Sequence, residues 1–328
     1  MPKRVDSHKI KEAAKILEKI RREVSKLIVG QHKVIDSLIM TLLANSHVIV
    51  EGVPGIAKTV LIKTLATVTG CQQSRIQFTV DLLPSDITGI TSYEPKKGFF
   101  ILKGPIFANF IIADEINRAP PKTQSALLEA MQERQVTIGR ETFKLTEPFF
   151  VMATMNPIES SGVYKLPEAQ IDRFLFKVNI FYPKQDEEHR ILKKNISLES
   201  FQSYNIRAVT TPKKIIEMQE LAKKIFISKD VERYILEIVN ATRHPDKYDI
   251  KKGKYIEWGA SPRASIGLFI ASKTRALMLG NSFVIPQHIK DIAHDVLRHR
   301  ILLNYEGEAE NVTTDNIIDE ILSKVPIP

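Results

Sequence analysis

Eight consecutive residues, Gly52-Val53-Pro54-Gly55-Ile56-Ala57-Lys58-Thr59, combine the residue types that hold a polyphosphate. The glycines and the proline turn the chain so that backbone N–H groups face inward and cradle phosphate oxygens. The apolar run from Val60 makes this loop the start of a helix, whose N-terminus adds its positive dipole end. Lys58 is then placed to reach β- and γ-phosphates, and the Thr59 hydroxyl to ligate Mg2+. Glycine is the usual residue before this lysine, and here it is Ala57. In right-handed helical geometry the methyl group costs little; at positive φ it weakens phosphate binding. The expected nucleotide-binding set is Gly52, Val53, Pro54, Gly55, Ile56, Ala57, Lys58, Thr59 and Val60, with Mg2+ and ATP as its ligands.

A second string answers the first. Phe110-Ile111-Ile112-Ala113-Asp114-Glu115 is an apolar strand ending in two acids. At the carboxyl end of such a strand Asp114 holds Mg2+, directly or through water, and Glu115 polarises the attacking water. An acid pair also caps a following helix, but two adjacent carboxylates at a strand end beside a phosphate loop favour the catalytic reading. Asn156, in Thr154-Met155-Asn156-Pro157, follows another apolar strand and is placed to orient that water. Asn-Pro is equally a turn dipeptide. Arg173, in Asp172-Arg173-Phe174, offers charge to a γ-phosphate, in trans from a neighbouring subunit. By chemistry alone its better reading is a surface ion pair with Asp172.

These groups need a sheet to converge. His47–Glu51 is a short β-branched run that reads as a buried strand just before the phosphate loop. Further buried-strand patterns occur at 75–80, 110–113, 149–153 and 174–180, with helical stretches such as 123–132 between them. That alternation predicts an α/β fold with a parallel sheet covered on both faces. Two amphipathic helices precede the first strand, over 10–28 and from Val34 to Leu43. Two stretches of alternating residues, 92–103 and 135–145, read as inserted hairpins. Beyond Pro183 the pattern turns all-helical, with helices expected over 212–225, 231–242, 261–279 and 286–301. The expected domains are therefore 1–183, α/β with the N-terminal helices and hairpins, and 184–328, all-α.

The 328 residues are 43% hydrophobic and 26% charged, an ordinary globular composition with a sizeable core. The one cysteine, Cys71, rules out a disulfide framework or a cysteine metal site within one chain. The N-terminus lacks the apolar run of a secretory signal, and no run reaches the roughly 18–20 apolar residues of a membrane span. The expectation is a cytoplasmic protein without membrane insertion, in which the N-glycosylation triplets at Asn195 and Asn311 are chance matches. The net charge of +9 invites a polyanionic partner, but the lysines are scattered where a nucleic-acid footprint is clustered.

Taken together, the motifs resemble the MoxR family of AAA+ ATPases. The matching strings are Ile28-Val29-Gly30-Gln31, Glu51 to Gly55, Phe78 to Asp86 (FTVDLLPSD), Ala113 to Ala119 (ADEINRA), Gln132 to Thr137 (QERQVT), Leu166 to Phe174 (LPEAQIDRF) and Gly259 to Ala264 (GASPRA). The resemblance covers nearly the whole chain, and the Asp81–Asp86 and Leu166–Phe174 strings are its most specific parts. It implies a five-stranded ASCE P-loop core followed by a helical lid. It makes Asn156 the sensor-1 residue, Arg173 the arginine finger and Arg263 the sensor-2 arginine, and it makes Ala57 a tolerated variant. Arg263 stands at a helix start, where the helix dipole disfavours a cation, which fits a role toward phosphate better than a local one. The family further implies a homo-hexameric ring, chaperone-like remodelling, and a protein client or partner with a von Willebrand factor A-like domain. Two rivals stand beside this reading. A nucleic-acid motor would use Lys96, Lys97, Arg134, Arg140 and Lys144 on the hairpins. A nucleotide-gated binding module with little turnover is the other, and Glu115 argues against it because binding alone needs no base.

Overall fold

The structure is a computed structural model, and it describes residues 6–52, 58–96, 98–156, 164–194 and 205–328. Val53, Pro54, Gly55, Ile56 and Ala57 of the expected phosphate loop lie outside the described residues, as do Lys97, Pro157 and Asn195. In chain order the elements are α1 (Ser7–Ser25), α2 (His32–Leu43), β1 (Val48–Gly52), α3 (Lys58–Thr69), β2 (Gln73–Gln77), α4 (Pro84–Thr88), β3 (Gly89–Glu94), β4 (Gly98–Lys103) and β5 (Phe110–Asp114). There follow α5 (Pro121–Glu133), β6 (Gln135–Ile138), β7 (Glu141–Lys144), β8 (Phe150–Met155), α6 (Glu168–Ile171), β9 (Phe176–Ile180) and α7 (Gln185–Lys194). The remainder is α8 (Pro212–Lys223), α9 (Lys229–Arg243), β10 (Ile256–Trp258), α10 (Pro262–Met278), α11 (Pro286–Leu297), β11 (Leu302–Leu303), α12 (Tyr305–Ala309) and α13 (Thr314–Lys324).

The five-stranded parallel sheet has the order β2-β5-β8-β1-β9. β5 and β8 are central and almost wholly buried, because Phe110-Ile111-Ile112-Ala113 and Phe150-Val151-Met152-Ala153 offer apolar side chains to both faces. Register aligns Ala113 with Ala153, and Glu51 with Met155, so the carboxyl ends of β1, β5 and β8 lie side by side. β2 differs from the expected buried strand over 75–80. It is shorter, lies at the sheet edge, and exposes Arg75 and Gln77 while Ile76 packs inward.

Behind the strands, His47 is buried, accepts from the Val151 N–H at Nδ1 (3.0 Å) and meets the Met131 carbonyl at Nε2 (3.2 Å). Val151 N–H is a donor and the Met131 oxygen an acceptor, so the ring is neutral with its proton on Nε2. Burial, helped by nearby Arg134, holds its pKa well below the ordinary imidazole range. Arg134 closes α5 in a left-handed conformation (φ 55°), donates to the carbonyls of Phe149 and Asn45, and lies over the Phe149 ring.

Both expected hairpins are present, as β3–β4 and β6–β7, each antiparallel. They pack together. The Lys103 ammonium lies 4.9 Å from the Phe107 ring centre and 5.0 Å from that of Phe143 on β7. Gly139, in the turn of the second hairpin, has φ +62°, and a Cβ there would come within 2.7 Å of Thr91 Oγ1 on β3. The β3–β4 hairpin leaves Tyr93 and Phe99 largely exposed, their rings 5.0 Å apart.

Two compact units emerge: the described residues of Glu18–Phe174 and Val178–Glu217, and those of Met1–Leu17, Leu175–Lys177 and Met218–Pro328. This partition differs from a split at 183/184. The stretch after α7 stays with the α/β unit because Arg207 N donates to Glu23 Oε1 (3.2 Å) and Val209 N to the Val68 carbonyl (2.9 Å). Beyond residue 183 the described elements are helical except for the short antiparallel pair β10–β11 and a bridge between Phe226 and Phe283, which depart from the all-helix expectation. No helix among the described residues is long and apolar enough to cross a membrane.

Candidate active site

The site is built at the carboxyl ends of β1, β5 and β8, where strand order switches and ligands enter open α/β sheets. β1 delivers Gly52, and α3 opens with Lys58 and Thr59. The Lys58 ammonium donates to the Gly52 carbonyl and approaches the Met155 carbonyl at 3.5 Å, so it reaches across the ends of both strands. Asn156, the residue after β8, is buried.

Asp114 ends β5 with both carboxylate oxygens engaged. Oδ1 accepts from the Thr154 hydroxyl at 2.6 Å. Oδ2 accepts from Arg75 Nε at 3.1 Å and Nη2 at 2.6 Å. Glu115 turns the chain in left-handed geometry (φ 55°, ψ 52°), which costs a non-glycine residue about 1–2 kcal/mol. Three contacts hold it there. Its N–H donates to Thr154 Oγ1 (2.9 Å), and its Oε2 accepts from Gln77 Nε2 (3.1 Å) and pairs with Arg118 Nε (3.0 Å). This turn takes Glu115 out of the strand's alternation and aims its carboxylate to the same side as Asp114's neighbours.

The donor set suits Mg2+. Thr59 and Asp114 offer hard oxygen ligands, and the described residues contain no cluster of three or more His, Cys, Asp or Glu that would cage a metal alone. Mg2+ typically takes one or two protein oxygens and completes its shell with phosphate and water. Thr59 and Asp114 are the residues that would hold it.

Arg173 stands apart from these groups. It follows α6 and donates through Nη1 to the Leu128 carbonyl on α5 (3.2 Å). With Gln170 and the acidic side of α5, Glu129 and Glu133, it lines a cleft of about 400 Å3. Arg173 Nε and Gln170 Oε1 are buried there without a hydrogen-bond partner among the described residues. Buried polar atoms are rarely left so. Arg263 belongs to the other unit, in the first turn of α10, where its N–H donates to the N-cap Ser261 side chain (3.2 Å) behind Pro262.

The sequence alone missed Arg75, Gln77, Arg118 and Thr154. The alternation Arg75-Ile76-Gln77 carries the signal, since it puts two polar side chains on one face of a strand. Thr154 is the one hydroxyl closing the apolar run 149–153.

The ATPase family associated with various cellular activities (AAA) matches residues 47–176, and an AAA lid domain matches residues 252–321. Chaperone MoxR1 of Mycobacterium tuberculosis is 44% identical over 314 residues, covering 95% of this chain and 82% of the relative. The Bacillus subtilis protein YeaC is 41% identical, covering 95% of each chain. Protein MoxR of Methylorubrum extorquens is 26% identical over 94% of each. A crystal structure of a candidate ATPase from Cytophaga hutchinsonii superposes with a TM-score of 0.91 at 44% identity, covering 98% of this chain and 97% of that one.

Proposed function

The chain belongs to the MoxR family of AAA+ ATPases, and we propose that it is a Mg2+-dependent ATP hydrolase whose turnover remodels a protein client or complex. The observation that carries this reading is the convergence of Lys58, Asp114, Glu115 and Asn156 at adjacent strand ends, with the base held in a strained turn. Strain of this kind persists where the surrounding contacts over-determine it, and it clusters at active sites.

In this scheme Lys58 neutralises β- and γ-phosphate charge, while Thr59 and Asp114 hold the metal. Bound Mg2+ would supply Lewis-acid stabilisation of phosphate oxygens. Glu115 carries its two side-chain contacts on Oε2, which orients Oε1 to take a proton from water. Asn156 positions that water. Arg173 acts on the nucleotide of a neighbouring subunit in a ring, with a hexamer as the expected assembly. The cleft with two partnerless polar atoms supports a partner seated there. Arg263 is the expected γ-phosphate sensor in this scheme. That the Mycobacterium tuberculosis relative is named a chaperone supports a protein client, and a von Willebrand factor A-like domain is the first candidate to test.

The test is Mg2+-dependent ATP turnover of the purified chain over a wide protein concentration range. Specific activity is expected to rise with concentration. Glu115→Gln should keep nucleotide binding and lower turnover by about 100-fold or more, the scale of a lost general base. Arg173→Ala should abolish the concentration dependence together with most of the activity. Turnover that is independent of Glu115 and of Mg2+ would overturn the reading.

A further inference from the structure

Asp114 is the protein's carboxylate ligand for the metal in the reading above, yet its oxygens already have partners within the chain. A carboxylate oxygen has two lone-pair sites. Oδ2 receives both Nε and Nη2 of Arg75 and is therefore full. Oδ1 receives the Thr154 hydroxyl and keeps one site. A guanidinium and a divalent cation on the same carboxylate also repel each other. Arg75 lies on the edge strand with about half of its side chain in water, whereas Asp114 is mostly buried. The arginine can therefore leave toward solvent, and the carboxylate cannot.

Arg75 is also linked to the base. Its Nη2 donates to Gln77 Oε1 at 2.7 Å, and Gln77 Nε2 donates to Glu115 Oε2 at 3.1 Å. One continuous chain of hydrogen bonds on one face of β2 thus spans both acids.

We propose that Arg75 is a positioning residue that occupies the Oδ2 of Asp114 while the site holds no metal and is displaced by the divalent cation. The proposal rests on the Mg2+-nucleotide reading of this site. It predicts that the arginine competes with the metal and makes no contribution to phosphate binding.

The test uses the full chain with ADP and Mn2+ as probes, counting free Mn2+ by electron paramagnetic resonance. An ion pair with one partner half in water is worth little, so Arg75→Ala should tighten Mn2+ binding to the ADP-bound protein by about two- to fivefold. ADP affinity in EDTA should stay within about twofold of wild type, because a competitor of the metal leaves metal-free binding alone. Arg75→Gln, which removes the charge but keeps a polar stem, serves as the second variant and should tighten Mn2+ binding in the same direction. Unchanged or weaker Mn2+ binding in both variants, with wild type binding normally, overturns the proposal and leaves the site assignment intact. A fall in metal-free ADP affinity also overturns it, making Arg75 a phosphate ligand instead. If wild type binds neither ADP nor Mn2+, the nucleotide reading itself falls and takes the proposal with it.

Discussion

Thr154→Val removes one oxygen from the centre of the site and replaces it with a methyl group of nearly the same size. Thr154 is buried, donates to Asp114 Oδ1 and accepts from the Glu115 N–H. The valine offers neither. The bond to an ionised carboxylate is worth about 1.5–3 kcal/mol, and a buried N–H left without a partner costs about 1–3 kcal/mol. Asp114 keeps Arg75 through Oδ2, which puts the first figure near its lower end. The Glu115 turn also loses the bond that offsets its left-handed strain. The expected loss is about 2.5–4.5 kcal/mol in urea unfolding, with turnover down by about tenfold or more because base and metal ligand lose their common anchor. Thr154→Ser retains the hydroxyl and should recover most of the turnover while losing a methyl's worth of packing. A valine variant within about 0.5 kcal/mol of wild type and with full turnover would refute the reasoning.

His47 is held neutral, so below an imidazole's ordinary pKa the unfolded chain binds the additional proton. Stability should be fully present above about pH 6.5 and fall at lower pH by about 1.4 kcal/mol per unit for this group, until the folded ring protonates. His288, also pushed down by burial, adds to that slope, and His47→Asn should flatten it in pH-dependent urea melts. Cys71 is buried and its thiol pKa is raised, so iodoacetamide should label it at least about tenfold more slowly in the native chain than in urea. Phe99→Ser should change stability by less than about 0.5 kcal/mol, since its ring is 78% exposed; a larger loss by thermal melting would show that the hairpin's aromatic pair carries structure.

The central strands were legible because periodicity and burial coincide in them: Phe110–Asp114 and Phe150–Met155 are apolar on both faces, as the interior of a parallel sheet demands. The Asp114-Glu115 pair was legible because acids at the end of such a run have no packing role. β2 was harder to read. Ile76 and Phe78 are buried and draw the eye toward a core strand, while edge position depends on strand order, which periodicity does not encode. Arg75, Gln77 and Thr154 become site residues only once register sets β2 beside β5 and β5 beside β8. Glu115's left-handed turn was equally hidden, since nothing in a glutamate's identity announces positive φ. The β10–β11 pair escaped notice because strands of two or three residues leave no period to detect.

The two hairpins raise a question of inheritance. They are separated in the chain by β5 and α5, yet one lysine stacked between Phe107 and Phe143, and one glycine pressed against Thr91, make their surfaces interdependent. A chimaera that borrowed the first hairpin from a relative would keep its own Phe143 and Gly139, and would mate correctly only if the donor also carried a cation at 103 and a small residue at 91. The two insertions should therefore be exchanged between relatives as a matched set, and grafts of either one alone should yield chains that fold around a mismatched seam.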